Sequence, residues 1–409
     1  MGKSGVKNNW EIKNLGEFIK LKYGFSLPEK DRVHGKIPVY GSSGIVGHHN
    51  TSSVKGPGII VGRKGNVGAI SFSNDDFWPI DTAYYIEENK GFYDIKFLFF
   101  LLRTLSLNTF DTAAAVPGLS RDSFYNIETK IPSLPIQQKI ASILSAYDDL
   151  IEVNERRIKI LEDIARLIYK EWFVKFHFPP ARRSHSEGGG YKKAKMVESE
   201  LDLSAEVSTK VEMIPERWEV RSVLDIEGVN LIKTKVKRYD GVKEYFATAN
   251  VEGNNIIKDG EMVTYDERPS RAQMQPEENT IWFAKMRETF KVICFTSANK
   301  EKAENSILST GFAGLKVDKD IFGFMYFTVN SKKFHILKDQ YCTGATQMTS
   351  TIEGLSLIKI IFPNKNIVRA YSELTQPMID QIIGFQQQNQ LLRQTRDMLL
   401  PRLISGERM

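Results

Sequence analysis

Three stretches of the 409-residue chain contain residue types that could do chemistry. Pro79-Ile80-Asp81 followed by Glu88-Asn89-Lys90 has the acid–lysine composition of metal-dependent nucleases, which need carboxylates converging on Mg2+ and a lysine near the attacking water. The spacing is cramped, and the segment reads instead as a solvated strand end. Gly62-Arg63-Lys64-Gly65-Asn66-Val67-Gly68 is rich enough in glycine to suggest a phosphate cradle. A second short strand follows it where a dinucleotide loop would open a helix, so that chemistry is excluded. His48-His49 lies in a Gly/Ser-rich stretch and reads as a hydrogen-bonded loop element, not a ligand pair. Cys294 and Cys342 are the two cysteines, too few for a disulfide framework or a multi-cysteine zinc site. No catalytic residue, cofactor-binding residue or metal ligand is expected in this chain.

What remains is a set of basic and small polar turns. The first half carries Tyr40-Gly41-Ser42-Ser43-Gly44, Arg63-Lys64-Gly65-Asn66 and Ser120-Arg121. The second carries Tyr245, Arg268-Pro269-Ser270-Arg271, Lys285-Met286-Arg287 and Thr343-Gly344-Ala345-Thr346-Gln347. Readout of a base needs turns that bring backbone and short polar side chains to a groove, with cations on the phosphates. Any one of these turns reads equally well as a solvated hairpin loop. Their recurrence at matching places in two halves favours a shared task.

The elements that position them are themselves repeated. Trp10-Glu11-Ile12-Lys13 is echoed by Trp218-Glu219-Val220-Arg221, and the span Gly35 to Gly47 by Gly241 to Gly253. The apolar run Gly58-Ile59-Ile60-Val61 before the first basic turn matches Thr280-Ile281-Trp282-Phe283 before the second. Thr112 with Thr343, and Ile131-Pro132 with Phe362-Pro363, share one offset of 231 residues. Each repeat is a region of short strands and glycine-rich turns followed by a long helix. In the first helix the seam runs Ile140, Leu144, Tyr147, Ile151, Asn154, Ile158, Leu161, Ala165, Ile168 and Trp172, four-three spacing throughout. The same offset gives Tyr371, Thr375, Met378, Ile382, Phe385, Asn389, Leu392, Arg396 and Leu399 in the second. About 33 residues at 1.5 Å each make a rod of about 50 Å. The simplest partner for each stripe is the other helix of the chain, and homodimerisation is the alternative. Asn154 and Asn389 are either tolerated polar residues or register pins. Pro179 to Gly190, with Lys192, Lys193 and Lys195 beyond, reads as an exposed linker.

Composition sets the outer bounds. The chain is 41% hydrophobic and 26% charged, ordinary for a folded multidomain protein, with a net charge of +6. That excess is not a polycation's, and it is not concentrated in the modules. Residues 10–132 carry 14 basic and 13 acidic side chains, and residues 218–363 carry 20 and 19. Any DNA contact must therefore come from local turns. The longest apolar run, Phe97 to Leu102, is far short of a membrane span, and the start of the chain lacks an apolar signal region or a myristoylation pattern. A reduced, cytoplasmic location is expected. Two similar modules on a rigid spacer suit an extended ligand with two separated features, and duplex DNA is the obvious one.

The motifs resemble those of a known family. Pro38-Val39-Tyr40-Gly41-Ser42-Ser43-Gly44-Ile45-Val46-Gly47, Gly62 to Gly68, Phe77-Trp78-Pro79-Ile80-Asp81-Thr82-Ala83-Tyr84-Tyr85 and Pro135-Ile136-Gln137-Gln138-Lys139-Ile140-Ala141 are similar to stretches of type I restriction–modification specificity subunits. So are Arg157 to Phe173 and the closing Met398 to Gly406, and the resemblance covers essentially the whole chain. It implies an α+β protein in which two β-rich globular target recognition domains are separated by two long helices packed as an antiparallel coiled coil, with an internal pseudo-two-fold repeat. The expected division is 1–135 and 214–363 for the recognition domains, 136–178 and 364–409 for the helices, and 179–213 for the linker. The resemblance further implies a non-catalytic subunit whose domains each read one half of a bipartite, asymmetric DNA target, while the helices set the spacer. Two modification (methyltransferase) subunits and two restriction (endonuclease and translocase) subunits are the expected partners. S-adenosylmethionine, ATP and Mg2+ are expected on them and not here. Gly62, Gly65 and Gly68 have no glycine counterparts around Lys285-Met286-Arg287, so the second module departs from the first module's glycine pattern. The competing class is a coiled-coil scaffold whose heads bind protein; it explains the heptads but not the repeated basic turns.

Overall fold

A computed structural model describes residues 10–111, 118–178, 196–198, 213–233, 235–344 and 348–407. The chain divides into two compact units, Met1–Glu152 with Asn389–Met409, and Val153–Gln388. Each unit combines a β-rich module with part of both long helices.

The sequence repeat is a repeat of topology. In the first unit the strand Gly58–Gly62 lies antiparallel between Ile70–Ser73 and Ala83–Glu87, and Lys22–Tyr23 forms the edge beyond Ala83–Glu87. In the second unit Thr280–Ala284 lies between Val292–Phe295 and Phe312–Val317, with Val229–Leu231 at the edge. Both central strands are buried at all five positions, which is why they read as continuous apolar runs instead of alternating ones. A second sheet repeats too. Ile37–Gly41 pairs antiparallel with Gly44–His49 and parallel with Trp78–Pro79. Lys243–Phe246 pairs antiparallel with Glu261–Val263 and parallel with Ser306–Ser309. A third pairing joins each module's first strand to its last: Trp10–Asn14 with Glu128–Pro132, and Glu219–Ser222 with Lys359–Phe362.

The long helices follow these closing strands. The first spans Leu134–Tyr169 and ends in a π turn, Lys170–Val174. Pro135 sits in its first turn, where a missing N–H costs nothing. The buried Gln137 ties that start down, donating to Pro132 O at 2.9 Å and accepting from Asp94 N at 3.0 Å. The second helix spans Lys365–Ser405. Asn364 accepts from Asn366 N at 2.9 Å at its start, and Gly406, at φ +77°, stops it against the Trp10 ring.

Every described seam position named above is buried or half-buried. In the first unit Asp148 pairs with Arg396, and Asn389 donates to Ile151 O at 3.4 Å. In the second, Asn154 donates to Gln388 Oε1 at 3.4 Å, Arg157 lies 5.5 Å from the Phe385 ring centre, and Tyr371 donates to Ala165 O at 2.9 Å. Within each unit the partner number falls as the first number rises, so the helices pack antiparallel. The modules hold the helix ends: Leu400, Leu403 and Ile404 join the first unit's core, and Val368, Tyr371, Ile379 and Ile383 the second's. Of the segment read as a linker, Pro179 to Gly190, Lys192, Lys193 and Lys195 lie outside the described residues. Met196–Glu198 pairs antiparallel with Met213–Pro215, so one strand stands inside the span read as linker and its partner straddles the boundary with the second module. Among the described residues no helix is long and apolar enough to cross a membrane.

Candidate nucleic-acid interface

In the first unit three of the predicted segments meet. The backbone N–H of Arg63 donates to Thr82 O at 2.9 Å as the chain leaves its central strand, and Lys64 N reaches the same carbonyl at 3.1 Å. Arg63 O accepts from Leu119 N at 3.0 Å, which brings up Ser120, the cap of helix Arg121–Tyr125, whose hydroxyl accepts from Ser123 N. The Ser42–Ser43 hairpin turn lies alongside. A Cβ at Gly62 would stand 3.0 Å from Ser42 O, and one at Gly65 would stand 3.3 Å from Ser42 Oγ. Ser43, Lys64, Gly65, Asn66, Ser120 and Arg121 are exposed; Ser42 and Arg63 are half-buried.

The second unit builds the same junction. Lys285 N donates to Gly311 O at 2.9 Å, and Lys285 O accepts from Ser350 N at 2.9 Å. Thr351 then caps helix Ile352–Ser356. Leu119 with Ser350, and Ser120 with Thr351, again stand 231 residues apart. Arg63 and Lys285 therefore occupy one position in the fold, the first residue past a buried central strand. Burial and the nearby Arg271 pull the Lys285 ammonium below its ordinary pKa, so an anion at this place would find a cation that gains by being paired. Thr343 pairs with Thr349, and Arg287 N donates to Met348 O at 3.1 Å, so both border the same junction. Thr346 and Gln347 lie outside the described residues.

Other predicted residues are placed elsewhere. Tyr40 and Tyr245 were expected at a groove, but both rings are buried. Tyr40 packs edge-on to Phe77 at 5.9 Å and donates to Phe72 O at 3.3 Å, and Tyr245 packs with Val236, Val263 and Ile307. Gly41 is buried beneath its hairpin. Arg268 is spent on its own loop: it stacks on Tyr265 at 3.8 Å and donates to Ala272 O at 3.1 Å and to Tyr265 O. His49, expected in a loop, ends a strand, and its Nδ1 accepts from Val33 N at 3.0 Å. Asp81 and Glu88 flank opposite ends of strand Ala83–Glu87. At about 3.4 Å per residue their carboxylates are far too distant to share a metal. Among the described residues no group of three or more His, Cys, Asp or Glu could hold a metal ion.

Sequence reasoning missed two residues. Tyr23, on the edge strand, has Arg63 5.1 Å from its ring centre and Arg121 at 4.7 Å, and its ring lies 5.1 Å from that of Tyr84. Burial first, and the neighbouring Tyr23, raise the Tyr84 pKa, keeping that phenol neutral, and it donates to Leu119 O at 3.1 Å. Lys338, fully buried, donates to the carbonyls of Ala284, Met286 and Thr289 and so wraps the second basic turn around one ammonium. A tyrosine and a lysine at unremarkable spacing leave no sequence signal. In the second module Ala313 stands in register where Tyr84 does and Ile352 where Arg121 does. A cavity of about 450 Å³ opens there, lined in part by Ile232, Lys233, Lys285, Ala313 and Ile352.

Comparison with known proteins bears on the fold and on the family. Residues 7–163 match the family described as the type I restriction modification DNA specificity domain, which takes in the first module and most of the first long helix. The type I restriction enzyme MjaIX specificity subunit of Methanocaldococcus jannaschii is 26% identical over 353 residues, covering 78% of this chain and 72% of that one. The type I restriction enzyme HindI specificity subunit of Haemophilus influenzae is 22% identical over 388 residues, 84% of each. The solved type I restriction–modification S subunit from M. genitalium shares the fold, with a TM-score of 0.60 at 14% identity over 98% of both chains. The chain is similar over most of its length to the specificity subunits of type I restriction–modification systems, and its residues 7–163 match the model of their DNA specificity domain.

Proposed function

We propose that this chain is the DNA-reading subunit of a type I restriction–modification complex, with each module reading one half of a bipartite, asymmetric target. The observation that carries the reading is the repeated junction. Arg63 and Lys285 leave equivalent strands, make equivalent backbone bonds at both N–H and C=O, and are each joined by a short capped helix. Unrelated hairpins have no reason to keep a cation in register through two divergent sequences. The helices set the unread spacer and offer the docking surface for two modification subunits. Two restriction subunits complete the assembly. Methylation of adenine with S-adenosylmethionine, and ATP- and Mg2+-dependent cleavage, are assigned to those partners, in the cytoplasm.

Exchanging residues 1–135 for the corresponding module of a relative, followed by sequencing of methylated sites in the host genome, tests the reading. One half of the methylated sequence should change and the other persist. An unchanged target, or the loss of both halves in a complex that still assembles, would refute it. Side-chain replacements should be local. Arg63→Ala and Arg121→Ala should each weaken discrimination in one half-site by about 1–3 kcal/mol. Lys285→Ala should weaken binding and flatten the dependence of log affinity on log salt by about one unit. Fluorescence anisotropy across a salt series measures both effects, and equal losses on both half-sites would contradict the assignment.

A further inference from the structure

We propose that Tyr23 is a positioning residue that couples Arg63 and Arg121 into one two-guanidinium reader in the first module. This rests on the DNA-reading function above and names how one half-site is read.

The two arginines come from different segments, the turn after strand Gly58–Gly62 and the first position of helix Arg121–Tyr125. Left alone, two like charges on mobile stems would diverge. Tyr23 gives both a surface, with its ring centre 5.1 Å from Arg63 Cζ and 4.7 Å from Arg121 Cζ. The ring is itself braced by Tyr84 at 5.1 Å, and Arg63 lies 5.8 Å from the Tyr84 ring as well. Tyr23 is 45% exposed, so the assembly stands at the surface. Stacking uses the faces of a guanidinium and leaves its N–H edge for an acceptor, the geometry that suits a guanine edge or a phosphate.

The second unit contains a similar stack put to a different use. Tyr265 also has two arginines, Arg268 at 3.8 Å and Arg238 at 5.6 Å. There part of each N–H edge is already engaged: Arg268 donates to two backbone carbonyls of its loop, and Arg238 pairs with Asp266 at 3.3 Å. One stack fixes a loop; in the other, among the described residues, neither the Arg63 nor the Arg121 guanidinium has a carboxylate partner, and Arg63 Nε is buried without a hydrogen-bond acceptor. At the second module's own junction the stack has no counterpart, since Ala313 and Ile352 replace Tyr84 and Arg121.

The test uses the full chain assembled with its modification subunits, and measures affinity for duplexes with every base substituted in turn. Tyr23→Leu should weaken binding about tenfold and flatten the preference at one or two adjacent positions of a single half-site. Tyr23→Phe, which keeps the ring, should restore both. Arg63→Lys should not be rescued by an intact Tyr23, because an ammonium lacks the planar fork. A double-mutant cycle between Arg63→Ala and Arg121→Ala should be non-additive in Tyr23 protein and additive in the Tyr23→Leu background. A guanine contact shows as loss at a G·C position, and a phosphate contact as a uniform loss with a lower salt slope. Either supports the coupling. Equal defects in Tyr23→Phe and Tyr23→Leu, a Tyr23→Leu protein with both affinity and base preference unchanged, or additivity in the presence of Tyr23 would overturn it. If the unmodified complex showed no sequence preference at all, the DNA-reading function would fall instead.

Discussion

Lys338→Met should destabilise the second unit by about 3–5 kcal/mol and silence the half-site that unit reads. The ammonium has no exposed surface and donates to Ala284 O at 3.3 Å, Met286 O at 2.7 Å and Thr289 O at 3.1 Å, with Asp339 3.0 Å away. Methionine fills much of the same volume but supplies no donor, so three carbonyls facing inward lose their partner at once. Those carbonyls belong to the turn that carries Lys285 and Arg287. A turn freed from its pin no longer presents them in register. With roughly 2–4 °C per kcal/mol for a unit of this size, the melting temperature should fall by roughly 10 °C. A neighbouring group reports the change independently. Burial first, and the Lys338 charge second, push the His335 pKa down to about 4. Removing the ammonium should let that value rise, which histidine NMR across pH 3–7 would show. Unchanged melting and an unmoved His335 titration would mean that Lys338 is not the pin.

The parts of this protein that were legible in its sequence are those written in periodicity. The four-three seam from Ile140 to Trp172 is buried or half-buried at each position, because the same spacing that marks one helix face decides what a helix can bury. The central strands were legible as apolar runs for the same reason. Illegible features depend on contacts between residues far apart in the chain. Lys338 is one of 20 basic residues in residues 218–363, and only the fold carries it to a turn some 50 positions away. Tyr40 and Arg121 looked alike as polar groups near glycine or serine, yet one ring is buried and the other side chain exposed. Arg268 looked like a free cation until its loop folded back on it. Sequence spacing locates a turn; it does not say whether the turn spends its donors on itself.

Because the long helices pack antiparallel, a change of length in one needs a matching change in the other. Arg157 faces Phe385 and Asn154 faces Gln388, so chain added after Arg157 needs new chain added before Phe385 to pack against. One heptad inserted at both places keeps the apolar seam in phase and adds about 10 Å of two-helix rod. At about 3.4 Å per base pair the spacer between half-sites should lengthen by about 3 base pairs, with both half-site sequences unchanged. The second helix is held by Val368 and Tyr371 in one core and by Leu400, Leu403 and Ile404 in the other. A heptad added to the first helix alone therefore meets a partner that is fixed and seven residues too short. It should lower the melting temperature and give less than the full lengthening. Genome-wide mapping of methylated sites reads the spacer directly in both variants. A doubly extended protein that kept its original spacer would show that the distance is measured by something other than these helices, most simply by the partner subunits gripping the DNA.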